Sequence, residues 1–141
     1  MTKIKNKRQL AASKAWLDRF RRSLMAAKKD PAHLHPRLLK AELDGMRSQI
    51  RDLEFEVKQY EDLQGTSPED VVLTSLDDLP EALARMRIVR GLTQEQLAER
   101  LGIKPQQVQK WEAGGYQRAS YASVLKAAKA LGIDMEGTVV R

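Results

Sequence analysis

Gln106, Gln109 and Lys110 fall within the run PQQVQKWEA, and their spacing is the first chemistry the chain offers. On a helix, at about 100° per residue, Gln106 and Lys110 lie one turn apart on the side away from Val108 and Trp111. Gln109 sits at the edge of that side with Ala113, and Gln107 lies nearer the core side. A glutamine amide donates and accepts at once and so fits the edge of adenine. A lysine ammonium reaches guanine O6 and N7. These groups suit hydrogen bonding to base edges better than they suit catalysis.

Other constellations are sparse. His33 and His35 flank Leu34 ahead of Pro36. His-x-His can begin a metal site, but the chain has no cysteine and only 2 histidines, so nothing completes it. They read as loop histidines, with no metal. There is no glycine-rich phosphate loop, and the paired carboxylates Asp77 and Asp78 stand where helix caps are expected. The sequence reads as a non-enzyme without a cofactor.

The elements that position the glutamines follow from Thr93 to Glu112, TQEQLAERLGIKPQQVQKWE. Thr93 can cap one helix, and Gln96 completes a capping box three residues later. Leu97 and Leu101 share a face of that helix, with the small Ala98 beside them where a second helix crosses close by. Gly102 supplies a left-handed exit. Pro105 opens a second helix, where a missing N–H costs nothing. Val108 and Trp111 give that helix its inner side. Glu112 lies about 40° from Val108, at the edge of the core, where a carboxylate needs a partner.

Gln94, Ala98, Gly102, Val108, Trp111 and Glu112 together resemble the helix-turn-helix pattern of the Xre family, the lambda-repressor and Cro-like DNA-binding domains. The resemblance runs from about Leu79 to Gly132. It implies that Lys104, Gln106 and Lys110 read bases, with Gln109 at the edge of the same face. It implies that Gln94 clamps a phosphate at the start of the preceding helix. It also implies that the loop Gly115, Tyr116, Gln117 and Arg118 touches the DNA backbone, in a form one residue longer than usual. Arg87, in the first helix of the domain, matches the family arginine that pairs with Glu112.

The remaining helices of this domain are legible too. Pro80 to Val89, entered through Asp77 and Asp78, carries Leu83, Met86 and Ile88 inward. Ser120 can cap a last helix with Val124, Leu125, Ala128 and Leu131 inward, ended by Gly132. Two β-prone runs, Val71–Thr74 and Gly137–Val140, flank the domain and are candidates for a short β ribbon.

The N-terminal part reads as a helical hairpin. Leu10, Leu17 and Leu24 repeat every seven residues from Lys7 to Lys28, with Phe20 and Ala27 between them. Asp30-Pro31 breaks that helix. A second, from Pro36 to Leu63, has a seam of Leu39, Leu43, Met46, Ile50, Leu53, Val57 and Tyr60. A short connection favours an antiparallel hairpin. The flanking charges then place Lys14 near Glu54 and Lys7 near Glu61, but Arg21 near Arg47. Trp16 and Phe55 lie off the seam. Two uses of the hairpin stand open: a basic helix on DNA phosphates, or, favoured, an arm for dimerisation and protein contact. Gln64 to Pro68 has linker composition, so the domains are 1–66 and 67–141.

Charge is uneven. Residues 1–30 carry ten Lys/Arg and two acids, a net +8, against −4 for residues 31–70 and +2 for 71–141, within a total of +6. The absence of cysteine excludes a disulfide framework. No apolar run reaches membrane length, and no apolar core follows the basic opening MTKIKNKRQL, so no signal peptide is expected. The expected protein is all-α and cytoplasmic (nucleoid-associated): a hairpin followed by an Xre-type domain. Its partners would be double-stranded operator DNA and a second copy of itself. The resemblance implies a transcriptional repressor acting as a homodimer on an inverted repeat. The alternatives are a HigA-like antitoxin with a toxin partner, repressing its own operon, and a protein-bridging factor that does not bind DNA.

Overall fold

A computed structural model of the chain describes residues 3–31 and 35–141. The fold is all-α, with six α-helices among the described residues: α1 (Lys7–Lys29), α2 (Pro36–Gln64), α3 (Leu79–Val89), α4 (Gln94–Leu101), α5 (Pro105–Ala113) and α6 (Tyr121–Ala130). They form two compact units, one ending at Asp62 and one of Leu63–Arg141, so the boundary falls in the last turn of α2. His33 lies outside the described residues. His35 Nδ1 accepts from the Arg37 N–H at 3.2 Å, a local loop bond. Among the described residues, no group of three or more His, Cys, Asp or Glu could hold a metal ion. Nor is any helix long and apolar enough to cross a membrane.

In the first unit, α1 opens on a local hydrogen-bond pair. The Asn6 side-chain Oδ1 accepts from Gln9 N–H at 2.8 Å, and Gln9 Oε1 accepts from Lys5 N–H at 2.7 Å. These bonds satisfy donors that the first turn leaves open. Leu17 and Ala27 of α1, and Ile50, Val57 and Tyr60 of α2, are buried. Leu10, Phe20, Leu24, Leu43, Met46 and Leu53 on the same seams are half-buried. Across the hairpin, Lys14 pairs with Glu61 at 2.6 Å and Arg21 with Glu54 at 2.6 Å. The expected contacts were Lys14 with Glu54, Lys7 with Glu61 and Arg21 with Arg47. The observed register is therefore shifted by one heptad. A seven-residue slip preserves the leucine seam and sets Arg21 against Glu54 in place of Arg47.

The second unit begins with two single turns of 3-10 helix, Pro68–Asp70 and Leu76–Asp78. No strand is present among the described residues, and the expected β ribbon does not form within the chain. Asp78 explains half of this. Its Oδ2 accepts from Thr74 N–H at 2.9 Å, Thr74 Oγ1 at 2.8 Å and Ser75 N–H at 2.9 Å, taking donors that a ladder would need. The same bonds, the Thr74 hydroxyl foremost, hold the Asp78 carboxyl below its ordinary pKa. Asp78 thus ties the chain that enters α3 and makes no side-chain cap on that helix, as had been expected of it. Val139 and Val140 are exposed.

Four helices build the domain. Thr93 Oγ1 accepts from Gln96 N–H at 3.0 Å, and Gln96 Oε1 from Thr93 N–H at 2.8 Å, closing the capping box on α4. Gly102 leaves α4 at φ 68°, a conformation that strains a side chain. Leu83, Leu97, Ala98, Val108, Ala127 and Leu131 are fully enclosed. Ala98 has no side chain beyond Cβ, which lets a neighbouring helix approach. Leu125, expected inward, is 40% exposed, and Ala127 takes the inner place. The stripe on α6 centres on Val124, Ala127, Ala128 and Leu131, and Leu125 lies about 100° from Val124 at 100° per residue.

Candidate nucleic-acid interface

α5 is anchored from within and open on its outer side. Val108 and Glu112 are buried, while Lys104, Gln106, Gln109 and Lys110 are exposed. Lys104 is the residue before Pro105 and flanks the start of the helix in extended backbone. Gln106 and Lys110 stand about 6 Å apart along the axis and about 40° apart around it, enough for both to face one groove. Gln107, read from the sequence as nearer the core, is exposed as well. Trp111 is only half-buried, so the enclosed arc of α5 is narrower than a fully buried tryptophan would make it. Gln107 therefore joins the outer face as a further candidate.

The anchor is an ion pair. Arg87 Nε donates to Glu112 Oε1 at 2.5 Å and Arg87 Nη2 to Oε2 at 2.8 Å. Both side chains are enclosed, at 2% and 0% exposure. Arg87 Nη1 also donates to the Leu92 carbonyl at 2.7 Å. A planar guanidinium can make all these bonds at once, as an ammonium cannot. Gln94 completes the set, its Nε2 donating to Glu112 Oε2 at 2.9 Å. The Gln94 side chain, read as a phosphate clamp, is thus turned inward, 6% exposed. A carboxylate enclosed in the core draws in every donor within reach, and Gln94 at the start of α4 is one of them. Nothing in the spacing of Gln94 and Glu112 reveals this contact, because it depends on how α4 crosses α5.

The loop after α5 is also partly turned inward. Tyr116 adopts φ 60°. Its N–H donates to the Trp111 carbonyl at 2.7 Å, and its ring lies 6.0 Å from that of Trp111 at 39°. The Tyr116 side chain, in the loop that the resemblance implies touches the DNA backbone, is buried. The hydroxyl has no hydrogen-bond partner among the described residues. Burial, and then the nearby Glu112 charge, push its pKa above the usual tyrosine value, against a smaller opposing effect of Arg87. Gln117 and Arg118 are exposed, and Gly115 is half-buried. The outer surface therefore offers amides and cations, with the acid of α5 neutralised inside.

Residues 83–137 match the family model described as Helix-turn-helix. Comparisons with curated proteins and with solved structures return no significant match.

Proposed function

Given that residues 83–137 form a Cro/C1-type helix-turn-helix domain, which makes the chain a DNA-binding transcription regulator, we propose that it is a repressor acting as a homodimer on an inverted repeat. The observation that carries this reading is the face of α5, where Gln106, Gln109 and Lys110 stand exposed while Val108 and Glu112 fix the helix from behind. In this reading Gln106 and Lys110 enter the major groove, with Lys104 and Gln109 beside them. Gln117 and Arg118 meet the backbone on one side. Gln94 and Tyr116 set the positions of α4 and the loop from within.

A second copy is favoured by the hairpin, whose seam residues Leu10, Phe20, Leu24, Leu43, Met46 and Leu53 are only half-covered within one chain. Covering them in a two-fold bundle removes apolar surface from water at about 25 cal/mol per Å². Two subunits then present two copies of α5 to half-sites about 34–36 Å apart. The antitoxin alternative draws on Trp16 and Phe55, large side chains exposed on the same unit and available to a different protein. Nuclease protection of the chain's own promoter tests the repressor reading. A symmetric footprint spanning two half-sites is expected. Uniform cleavage at saturating protein would contradict it, and a small protein co-purifying in fixed ratio would favour the antitoxin.

A further inference from the structure

α1 carries eight cations and one acid, Asp18, and six of the cations fall into two sets. Lys14 and Arg21 flank the seam and are neutralised by Glu61 and Glu54 of α2. Arg8, Arg19, Arg22 and Lys29 lie on the opposite face at helical spacing, and all four are exposed. Of these only Arg22 has an acidic partner among the described residues, Asp18 at 2.7 Å. Between them the helix presents Ala11, Ala12, Ala15 and Ala26, which neither shield the cations nor hold a surface at a distance. Arg19 lies 4.8 Å from the centroid of Trp16, a ring that is 51% exposed and stiffens the middle of the face.

We propose that this outward face of α1 is a second nucleic-acid contact, a rail that grips duplex phosphates while α5 reads bases; it rests on the DNA-binding reading above. Charge distribution favours DNA over an acidic protein. The region from residue 71 onward holds only +2 of the total, whereas residues 1–30 hold +8. Sequence-independent affinity for DNA comes from neutralised phosphates, and the first segment carries the largest net excess of cations to supply it. From Arg8 to Lys29 the rail spans about 32 Å at 1.5 Å per residue. A duplex offers a continuous line of charge over that length, one per about 1.7 Å.

The test compares the full-length chain with an Arg8→Ala, Arg19→Ala, Lys29→Ala variant on cognate and random duplexes over a range of salt. A charge-matched control carries Lys40→Ala, Arg51→Ala and Lys58→Ala on α2. Alanine suits a helix, and circular dichroism checks that each variant remains folded. The rail variant should lower the slope of log K against log salt by up to about 2.7, at ~0.9 per phosphate, and weaken both duplexes by the same factor. The control should leave the slope near that of the parent. An unchanged slope in the rail variant overturns the proposal, whatever else the face binds, and leaves base reading by α5 intact. Absence of DNA binding by the parent chain overturns both.

Discussion

Arg87 and Glu112, 25 residues apart, meet through two hydrogen bonds in the core of the domain. One end of the pair lies on α3 and the other on α5, and Gln94 of α4 donates to the same carboxylate. The orientation of α5 is thus held by a charge that cannot be left alone. Removing one partner of a buried pair typically costs about 3–5 kcal/mol, because the other stays enclosed without compensation. Arg87→Met should lower the melting temperature by more than ~10 °C, at roughly 4–8 °C per kcal/mol for a domain of this size. Arg85→Met, at a half-buried position without the pair, serves as the control. Equal melting of the two variants in thermal denaturation would contradict the role given to the pair.

Gln94 separates support from contact. Gln94→Ala leaves Glu112 with one donor fewer, at a cost of about 1–3 kcal/mol, and Gln94→Glu sets a second carboxylate against the first. Both should melt below the parent, Gln94→Glu the lower. In DNA titration Gln94→Ala should weaken binding without changing the salt slope, since no charge is lost. A variant with parental stability would mean that the inward amide contributes nothing.

Tyr116 offers the reverse case. Its ring is buried against Trp111, but its hydroxyl lacks a partner among the described residues. Tyr116→Phe retains the ring and relieves a desolvated polar group, so its unfolding midpoint in urea should equal or exceed that of the parent. A fall of more than ~1 kcal/mol would reveal a bond to the hydroxyl.

The hairpin register makes a signed prediction. In the observed pairing Arg21 faces Glu54. Arg21→Glu should destabilise the hairpin by up to about 1 kcal/mol, and Glu54→Arg in the same chain should restore it. If Arg21 faced Arg47 instead, Arg21→Glu would stabilise. Thermal melting of the single and double variants distinguishes the two.

This register was not legible in the sequence for a definite reason. Leu10, Leu17 and Leu24 look alike after a shift of seven, so the seam selects a family of registers rather than one. The elements themselves were plain. Asn6, Thr93 and Ser120 accept from helix N–H groups at the starts of α1, α4 and α6, and the latter two were readable from local spacing. Leu125 and Gln94 show what periodicity misses. A stripe's edge is settled by the small residues that let helices approach, and an inward amide by a carboxylate on another helix.

If the hairpin makes the proposed dimer, the full chain should sediment as a dimer at micromolar concentration and a chain without residues 1–66 as a weakly binding monomer. A fragment as dimeric as the whole chain would place the interface in the helix-turn-helix domain.

Selection of binding sites from random DNA tests the central claim most directly, by comparing the parent with Gln106→Ala and Lys110→Ala. Both side chains are exposed on α5, and neither forms a hydrogen bond or ion pair through its side chain among the described residues, so their loss should leave the fold unchanged. Each variant should relax base preference at one or two positions of every half-site, with a loss of about 1–3 kcal/mol on the best parental sequence. Recovery of the parental site with the parental base weights by both variants would show that α5 does not read DNA.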